Sequence, residues 1–268
     1  MRIAAVQMDV TLGDPGSNLG KIAGHLRDLK QAGVDLAVFP EAALTGYCVD
    51  NAEQAKSIAI DSDGPWLTSL RAECDRLNMM AVAGYAESSG HHLYNTAALF
   101  EAGCEPRYYR KTHLPELGLD KFVDSGDQLP VWETRFGRIG ILICFDLRFP
   151  EASRTLAMEG ADLLILPTNW PEGAETSAEF ISVARAAENK VFVVTCNRVG
   201  TENGFLFIGR SKIVHPSGKV LEAAGSGETI LIADIDLAEA RRKRTVVIPG
   251  KYETETFAAR RPELYRCQ

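Results

Sequence analysis

The 268-residue sequence predicts an α/β fold, and three observations carry that reading. Short apolar runs alternate with amphipathic stretches along the chain, the pattern of layered sheets and helices. Hydrophobic residues make up 46% and charged residues 24%, enough for a sizeable core and too apolar for a disordered chain. One segment also echoes another, GVDLAVFP at 33–40 and GADLLILP at 160–167, each following an amphipathic helix and ending a buried strand at a proline. The echo has two readings: the common look of helix–glycine–strand units, or two similar halves whose sheets pack face to face with helices outside. No linker rich in Gly, Ser or Pro divides the chain, so residues 1–268 are read as a single domain.

Residues 2–8 form the first strand. Ser17 or Asn18 can cap a helix whose Leu19, Ile22, Ala23, Leu26 and Leu29 recur three and four apart, and Gly33 ends it. A strand follows at 35–41. A second helix starts near Pro65, with Trp66, Leu67, Leu70, Cys74 and Leu77 on one face. Strands at 79–85 and 93–100 lead to a polar hairpin around Glu101–Glu105. In the second half, strand 138–143 leads to Cys144, and a helix at 150–158 ends near Gly160. Strand 162–166 leads to Pro167, and a helix at 175–188 to strand 191–196. Strands near 210–214 and 219–222 flank a turn, and strand 228–235 precedes a short helix at 236–242. The last 25 or so residues read as irregular.

The formal net charge of −7 disfavours nucleic acid and anionic membranes as partners, both being polyanions. No run of apolar residues is long enough for a membrane span, and MRIAAVQMDV lacks the apolar core of a signal peptide. The six cysteines have no paired spacing and are read as reduced thiols, so the expected compartment is the cytoplasm. His91-His92 lacks further ligands at metal spacing. Arg241-Arg242-Lys243-Arg244 is read as a cluster serving a helix C-terminus and a solvated face, or a partner subunit.

Three segments place a polar residue directly after a buried strand, where ligands bind in α/β sheets: Phe39-Pro40-Glu41, Ile143-Cys144-Phe145-Asp146 and Pro167-Thr168-Asn169-Trp170. A fourth, Tyr109-Arg110-Lys111-Thr112-His113-Leu114-Pro115, gathers basic and aromatic residues. Taken singly, Cys144 is also explained as a structural cysteine, Glu41 as a solvated loop acid and Lys111 as a surface lysine.

Together the segments resemble the nitrilase superfamily of carbon–nitrogen hydrolases. FPEAALTGY (39–47) is similar to that family's glutamate motif, YRKTHLP (109–115) to its lysine motif and GRIGILICFDLRFPE (137–151) to its cysteine motif, in the same order. The resemblance runs from AAVQMD at 4–9 to Ile235. It implies a four-layer α-β-β-α sandwich, a homodimer or higher homo-oligomer, and neither a metal nor an organic cofactor. It also implies a catalytic triad of Glu41, Lys111 and Cys144.

The chemistry agrees with those roles. A thiol needs its proton removed at neutral pH, and Glu41 can take it and pass it to the leaving amine. Lys111 and the backbone N–H of Phe145 can stabilise the oxyanion. Many family members carry a second acid after the lysine, more often a glutamate; position shortly before the aromatic and glycine favours Asp120, with Glu116 the runner-up. Asn169 and Trp170 fall on a loop that borders the family's substrate pocket. Asp146 and Arg148 are expected to pair and brace the turn after Cys144, and Tyr47 and His113 to support the site from behind.

The implied function is hydrolysis of a small linear amide to a carboxylic acid and ammonia through a thioester. One alternative is an N-carbamoyl amino acid, with Arg148 or Lys121 as a carboxylate clamp; another is a keto-acid amide of the deaminated-glutathione type. A nitrile is disfavoured, because family nitrilases carry Trp where this chain has Phe145. Two other classes stay open: a metal-dependent phosphoesterase, which would need clustered Asp, Asn and His, and a non-catalytic protein that keeps the scaffold. Residues 243–268 are expected to form a tail at a subunit interface.

Overall fold

The computed structural model describes residues 1–265, so Cys267 and the end of the expected tail lie outside the described residues. The strands of the first half are β1 (Arg2–Gln7), β2 (Leu36–Val38), β3 (Ile60–Asp61), β4 (Met80–Ser89), β5 (His92–Glu101) and β6 (Arg107–Arg110). The second half adds β7 (Val131–Glu133), β8 (Arg138–Ile141), β9 (Leu163–Thr168), β10 (Phe192–Asn197), β11 (Thr201–Glu202), β12 (Phe205–Leu206), β13 (Lys212–Val214), β14 (Val220–Ala223) and β15 (Thr229–Asp234). A last hairpin is built from β16 (Arg244–Ile248) and β17 (Tyr252–Glu255). The helices are α1 (Pro15–Gln31), α2 (Ala52–Ile58), α3 (Pro65–Leu77), α4 (Pro150–Met158) and α5 (Ser182–Asn189), the last preceded by a π-helical turn at Ser177–Ile181.

Two large sheets result, one in the order β15-β1-β2-β4-β5-β6 with β3 beside β4, the other β14-β13-β10-β9-β8-β7, and β11-β12 and β16-β17 form separate two-stranded pairs. Strand alternation decides the layering. In β1, Ile3 and Ala5 face the second sheet, in one apolar cluster with Ile139, Ile141, Ile165 and Val194. Ala4 and Val6 face the other way, against Ile22, Leu26 and Leu29 of α1 and Leu67 and Leu70 of α3. On the far side, Leu156 of α4 and Ala186 of α5 cover the second sheet. The result is the four-layer α-β-β-α sandwich. The Cys196 thiol bridges the layers, donating to Val6 O at 3.2 Å and Val38 O at 3.1 Å.

The internal echo marks equivalent places in the two sheets. β2 runs parallel between β1 and β4, and β9 runs parallel between β8 and β10. Arg2 N donates to the Asp35 carboxylate at 2.7 Å, and Arg138 N to that of Asp162 at 3.0 Å. Asp35 N returns a bond to Arg2 O, and Asp162 N to Arg138 O, both at 2.8 Å. The first sheet is closed by its most distant pairing, β1 antiparallel to β15, with Arg2 opposite Asp234 and Gln7 opposite Thr229.

Several local expectations change. α1 is capped by Asp14, which accepts from Ser17 N at 2.9 Å with Pro15 in the first turn, rather than by Ser17 or Asn18. Asn18 is buried within the helix, and its amide donates to Thr11 O and Leu44 O. α2 and strands β6 and β7 were not expected. The tail is not irregular: β16 and β17 pair antiparallel, and a single helical turn follows at Pro262–Leu264. Lys243 is half-buried against Asn189 O and Lys190 O, so it serves the end of α5 rather than its own short turn. Among the described residues, no helix is long and apolar enough to cross a membrane.

Glu73 of α3 accepts from Arg76 at 2.8 and 2.7 Å and from Arg27 of α1 at 2.9 Å. Those hydrogen bonds, Arg76 foremost, hold its carboxyl down at about 2. The stability it contributes is therefore present above pH 4.5 and lost as pH falls through about 2. Glu73→Gln is expected to lower unfolding free energy at neutral pH by about 1 kcal/mol or less, because the pair is solvent-screened. Urea titrations at a series of pH values should show that deficit vanish toward pH 2.

Candidate active site

Glu41 lies three residues beyond β2, Lys111 directly after β6, and Cys144 three residues beyond β8. Glu41 and Lys111 are completely buried. The Lys111 ammonium donates to Glu41 Oε1 at 2.7 Å and Asp120 Oδ2 at 2.5 Å. Asn95 of β5 stands between the two acids, its amide donating to Glu41 Oε1 at 2.7 Å and Asp120 Oδ1 at 2.8 Å. The Tyr47 hydroxyl donates to Asp120 Oδ2 at 2.7 Å, and the Lys111 charge lies 5.9 Å from the Tyr47 ring centre. One oxygen of Glu41 is thus fully engaged, while Oε2 is buried without a hydrogen-bond partner among the described residues.

The electrostatics follow from burial of two carboxylates with one ammonium. Burial pushes the Glu41 carboxyl above its ordinary value; the Lys111 charge opposes this and the Asp120 charge adds to it. For Lys111, burial works against the charged form, but Asp120 and then Glu41 outweigh it and the ammonium is held well above its usual range. The Cys144 thiol is raised by burial and then by Glu41; Lys111, the Thr168 hydroxyl and the Asn169 backbone N–H pull it back. Cys144 therefore lies within electrostatic reach of both Glu41 and Lys111.

Cys144 adopts φ 47°, a left-handed conformation that is strained for a residue with a side chain. Asp146 holds this turn in place. Its Oδ2 accepts from Ile143 N at 2.8 Å and the Tyr109 hydroxyl at 2.7 Å. Its Oδ1 accepts from Thr112 Oγ1 at 3.0 Å and His113 N at 3.0 Å, and meets His113 Nδ1 at 2.7 Å. The expected Asp146–Arg148 pair does not form: Asp146 is saturated by the lysine segment, and Arg148 is exposed.

A cavity of about 260 Å³ opens beside Cys144, lined by Leu117, Phe145, Arg148, Trp170, Glu172 and Ser177 among others. Trp170 is held through its backbone, its N donating to Asn197 Oδ1 at 2.8 Å and its O accepting from Asn197 Nδ2 at 3.2 Å. Asn169 is buried next to it, both side-chain polar atoms without a partner among the described residues. Of the two acid candidates, Asp120 joins the cluster and Glu116 is exposed away from it. Lys121 is also exposed and does not line the cavity. Tyr47 bonds Asp120, and His113 bonds Asp146 beneath the cysteine turn. Among the described residues, no three His, Cys, Asp or Glu side chains gather as a metal ion would need.

Sequence reasoning passed over Asn95 and Asn197. The signal was present for Asn95, a polar residue inside the apolar run LYNTAALF that would be costly to bury without a partner. Gly84 of β4 was also missed: a Cβ there would sit 2.4 Å from Ala42 N and 2.7 Å from Glu41 Cα. Gly84→Ala is expected to displace the Glu41 loop and cost about 1–3 kcal/mol of stability by overpacking, measured by denaturant titration.

Known proteins place this arrangement in context. The model of the carbon-nitrogen hydrolase family matches residues 2–245. A protein of Pyrococcus abyssi named nitrilase is 36% identical, over 99% of each chain. The 2-oxoglutaramate amidase of Bacillus subtilis is 32% identical over 90% of this chain and 93% of that one. Among solved structures is a glutamate-to-glutamine variant of the amidase from Nesterenkonia sp. AN1, whose active-site cysteine carries the acetamide moiety of fluoroacetamide. It is 26% identical with a TM-score of 0.81, covering 98% of this chain and 95% of that one. On the family match and these relatives, the chain belongs to the carbon-nitrogen hydrolase family, and it is a hydrolase acting on carbon–nitrogen bonds.

Proposed function

We propose that the protein is a cysteine-dependent amidase that converts a small linear amide to a carboxylic acid and ammonia. The observation that carries this reading is the division of labour at Glu41: Oε1 is tied to Lys111 and Asn95, while Oε2 has no partner among the described residues in a buried site within electrostatic reach of Cys144. A raised carboxyl pKa makes Glu41 a stronger base than an ordinary carboxylate. A raised thiol pKa means the thiolate is not preformed, so its proton passes to Glu41 as sulfur attacks the carbonyl carbon.

Two of the three ammonium protons of Lys111 are committed to Glu41 and Asp120. The third is available to the oxyanion, with the Phe145 backbone N–H as the second donor. Protonated Glu41 then gives its proton to the departing nitrogen, ammonia leaves and a thioester remains. Glu41 next takes a proton from water, which attacks the thioester. Collapse of that intermediate releases the acid, and the sulfur regains the proton. Asp120 orients Lys111, and Trp170 with Phe145 forms the apolar wall against the substrate, beside Asn169.

A second reading is favoured by Arg148 on the cavity wall: a substrate whose far end carries a carboxylate, as an ω-amide of a keto acid or an N-carbamoyl amino acid does. Relatives named 2-oxoglutaramate amidase and, at 28% identity, citrullinase agree with it. A nitrile is the less favoured substrate, although relatives named nitrilase are among the similar proteins. The five described cysteines are free thiols, which suits a reducing compartment such as the cytoplasm.

Ammonia release from aliphatic amides, ω-amides of keto acids, carbamoyl amino acids and nitriles should be measured for wild type and Cys144→Ala. Loss of release in the variant is expected; equal release by both would remove Cys144 as the nucleophile. The acid limb of kcat/KM should lie above pH 4.5, the ordinary value for a glutamate, because Glu41 must be ionised to act as base.

We also propose that the β16–β17 hairpin docks on a second copy of the chain. A two-stranded hairpin is marginal alone in water, and Val246, Val247, Ile248 and Tyr252 are exposed on it, the three consecutive residues covering both faces. Removal of residues after Lys243 should reduce the assembly size in sedimentation; an unchanged size would reject the idea.

A further inference from the structure

A second buried carboxylate system lies outside the Glu41–Lys111–Asp120 cluster and grips the loop that follows Glu41. Glu202 of β11 is nearly inaccessible, and both its oxygens are occupied. Oε2 accepts the backbone N–H groups of Tyr47 at 2.9 Å and Cys48 at 2.5 Å, and Oε1 accepts from Arg198 Nη1 at 2.6 Å. Arg198 is itself buried, donating through Nη2 to Asp9 Oδ1 at 2.9 Å and Val10 O at 2.8 Å, with its guanidinium 4.5 Å from the Phe207 ring centre. An ion pair in such a place is commonly no more stabilising than well-packed apolar groups. Apolar groups, however, could not accept two consecutive backbone N–H groups.

The segment so held needs holding. Between Glu41 and Tyr47 the chain passes two left-handed residues, Ala42 at φ 49° and Gly46 at φ 79°. At Gly46 it runs so close to Leu12 that a Cβ would sit 2.6 Å from Leu12 Cα. At its far end the Tyr47 hydroxyl shares Asp120 Oδ2 with the Lys111 ammonium. An unbroken series of short contacts thus leads from Arg198 through Glu202, Tyr47 and Asp120 to Lys111.

We propose that Glu202 is a positioning residue for the reaction, seating Lys111 through Tyr47 and Asp120. This rests on the roles assigned above to Cys144, Glu41 and Lys111. The groups facing Glu41 are Lys111, Asp120, Tyr47, Cys144 and, more weakly, Cys48; those facing Glu202 are Arg198 and Cys48, whose thiol burial and then Glu202 push up to about 12. In Glu202→Gln the amide nitrogen faces either the Tyr47 and Cys48 N–H groups, losing both backbone bonds, or Arg198, losing the bond that anchors the side chain, so the grip on Tyr47 loosens. Lys111 then shifts from Asp120, and Glu41 and Cys144 lose part of the cation that lowers both of them.

The test uses the full chain and needs no knowledge of the natural substrate. The rate of Cys144 alkylation by iodoacetamide is followed by peptide mass spectrometry over a pH series, with thermal melts as a check on folding. Glu202→Gln is expected to slow alkylation at neutral pH by roughly tenfold, the scale of losses when a supporting hydrogen bond behind a site is removed. Its rate–pH profile should move to higher pH. Tyr47→Phe should act in the same direction, and the double variant should be no slower than the slower single, because both break one series of contacts. Asp9→Asn, which removes the charge of the other carboxylate on Arg198 without touching Tyr47, should stay within about twofold of wild type.

A wild-type rate and profile in Glu202→Gln would overturn the proposal, as would losses that multiply in the double variant. If Glu202→Gln fails to fold, Glu202→Asp takes its place: it keeps the charge, and a shorter reach should give a smaller slowing with the same displacement of the profile. An unchanged profile there overturns the proposal equally. If Glu41→Gln leaves the rate–pH profile of Cys144 alkylation unchanged from wild type, the assigned partnership of Cys144 with Glu41 fails, a result distinct from wild-type behaviour in the Glu202 variants.

Discussion

An ammonium ion sealed from solvent has to be neutralised where it stands, and most of the site follows from that requirement at Lys111. One carboxylate would balance the charge, but two are present, from the end of β2 and from the loop after β6. The excess negative charge is what burial penalises most, and the penalty appears as a raised Glu41 carboxyl. Asn95 and Tyr47 supply neutral donors that let both acids stay close to the ammonium. A base of raised basicity next to a fixed cation is thus a consequence of packing, obtained with neither histidine nor a metal ligand set among the described residues.

The same economy links the cysteine turn to the lysine segment. Asp146 receives Ile143 N from the cysteine side and Tyr109, Thr112 and His113 from the lysine side. Lys111 lies between those anchors, so one buried aspartate registers the sulfur against the ammonium. The left-handed backbone at Cys144 is tolerated because these bonds over-determine it.

The parts of this arrangement that were legible in the sequence are those governed by local pattern. Apolar runs ending in Glu41, Cys144 and Asn169 announce strand ends, and the echo at 33–40 and 160–167 corresponds to equivalent strands with matching Arg–Asp backbone clamps. What could not be read depends on partners distant in the chain. Arg148 looked like the natural mate of Asp146, but residues more than thirty positions upstream claim that carboxylate. Ser17 had the chemistry of a cap, yet Pro15 moves the helix start so that Asp14 takes the role. Position in the resemblance favoured Asp120 over Glu116, but only the turn at Gly118–Lys121 shows Asp120 carried inward and Glu116 left in solvent. The tail hairpin was missed because its apolar residues cover no core of their own.

The pairing of β1 with β15 bears on how the molecule is made. During synthesis β1 must wait for residues 229–234 before its outer edge is satisfied, with more than two hundred intervening positions still to be made. Until then an apolar strand, Ile3 to Val6, has one side of its backbone unpaired and free to recruit a neighbouring nascent chain. The internal βαβ units can assemble early from local contacts, but closure of the first sheet is among the last events and the one of greatest sequence separation. Yield in the cell should therefore be limited by the interval between emergence of β1 and arrival of β15, a vulnerability in biosynthesis that the finished fold conceals.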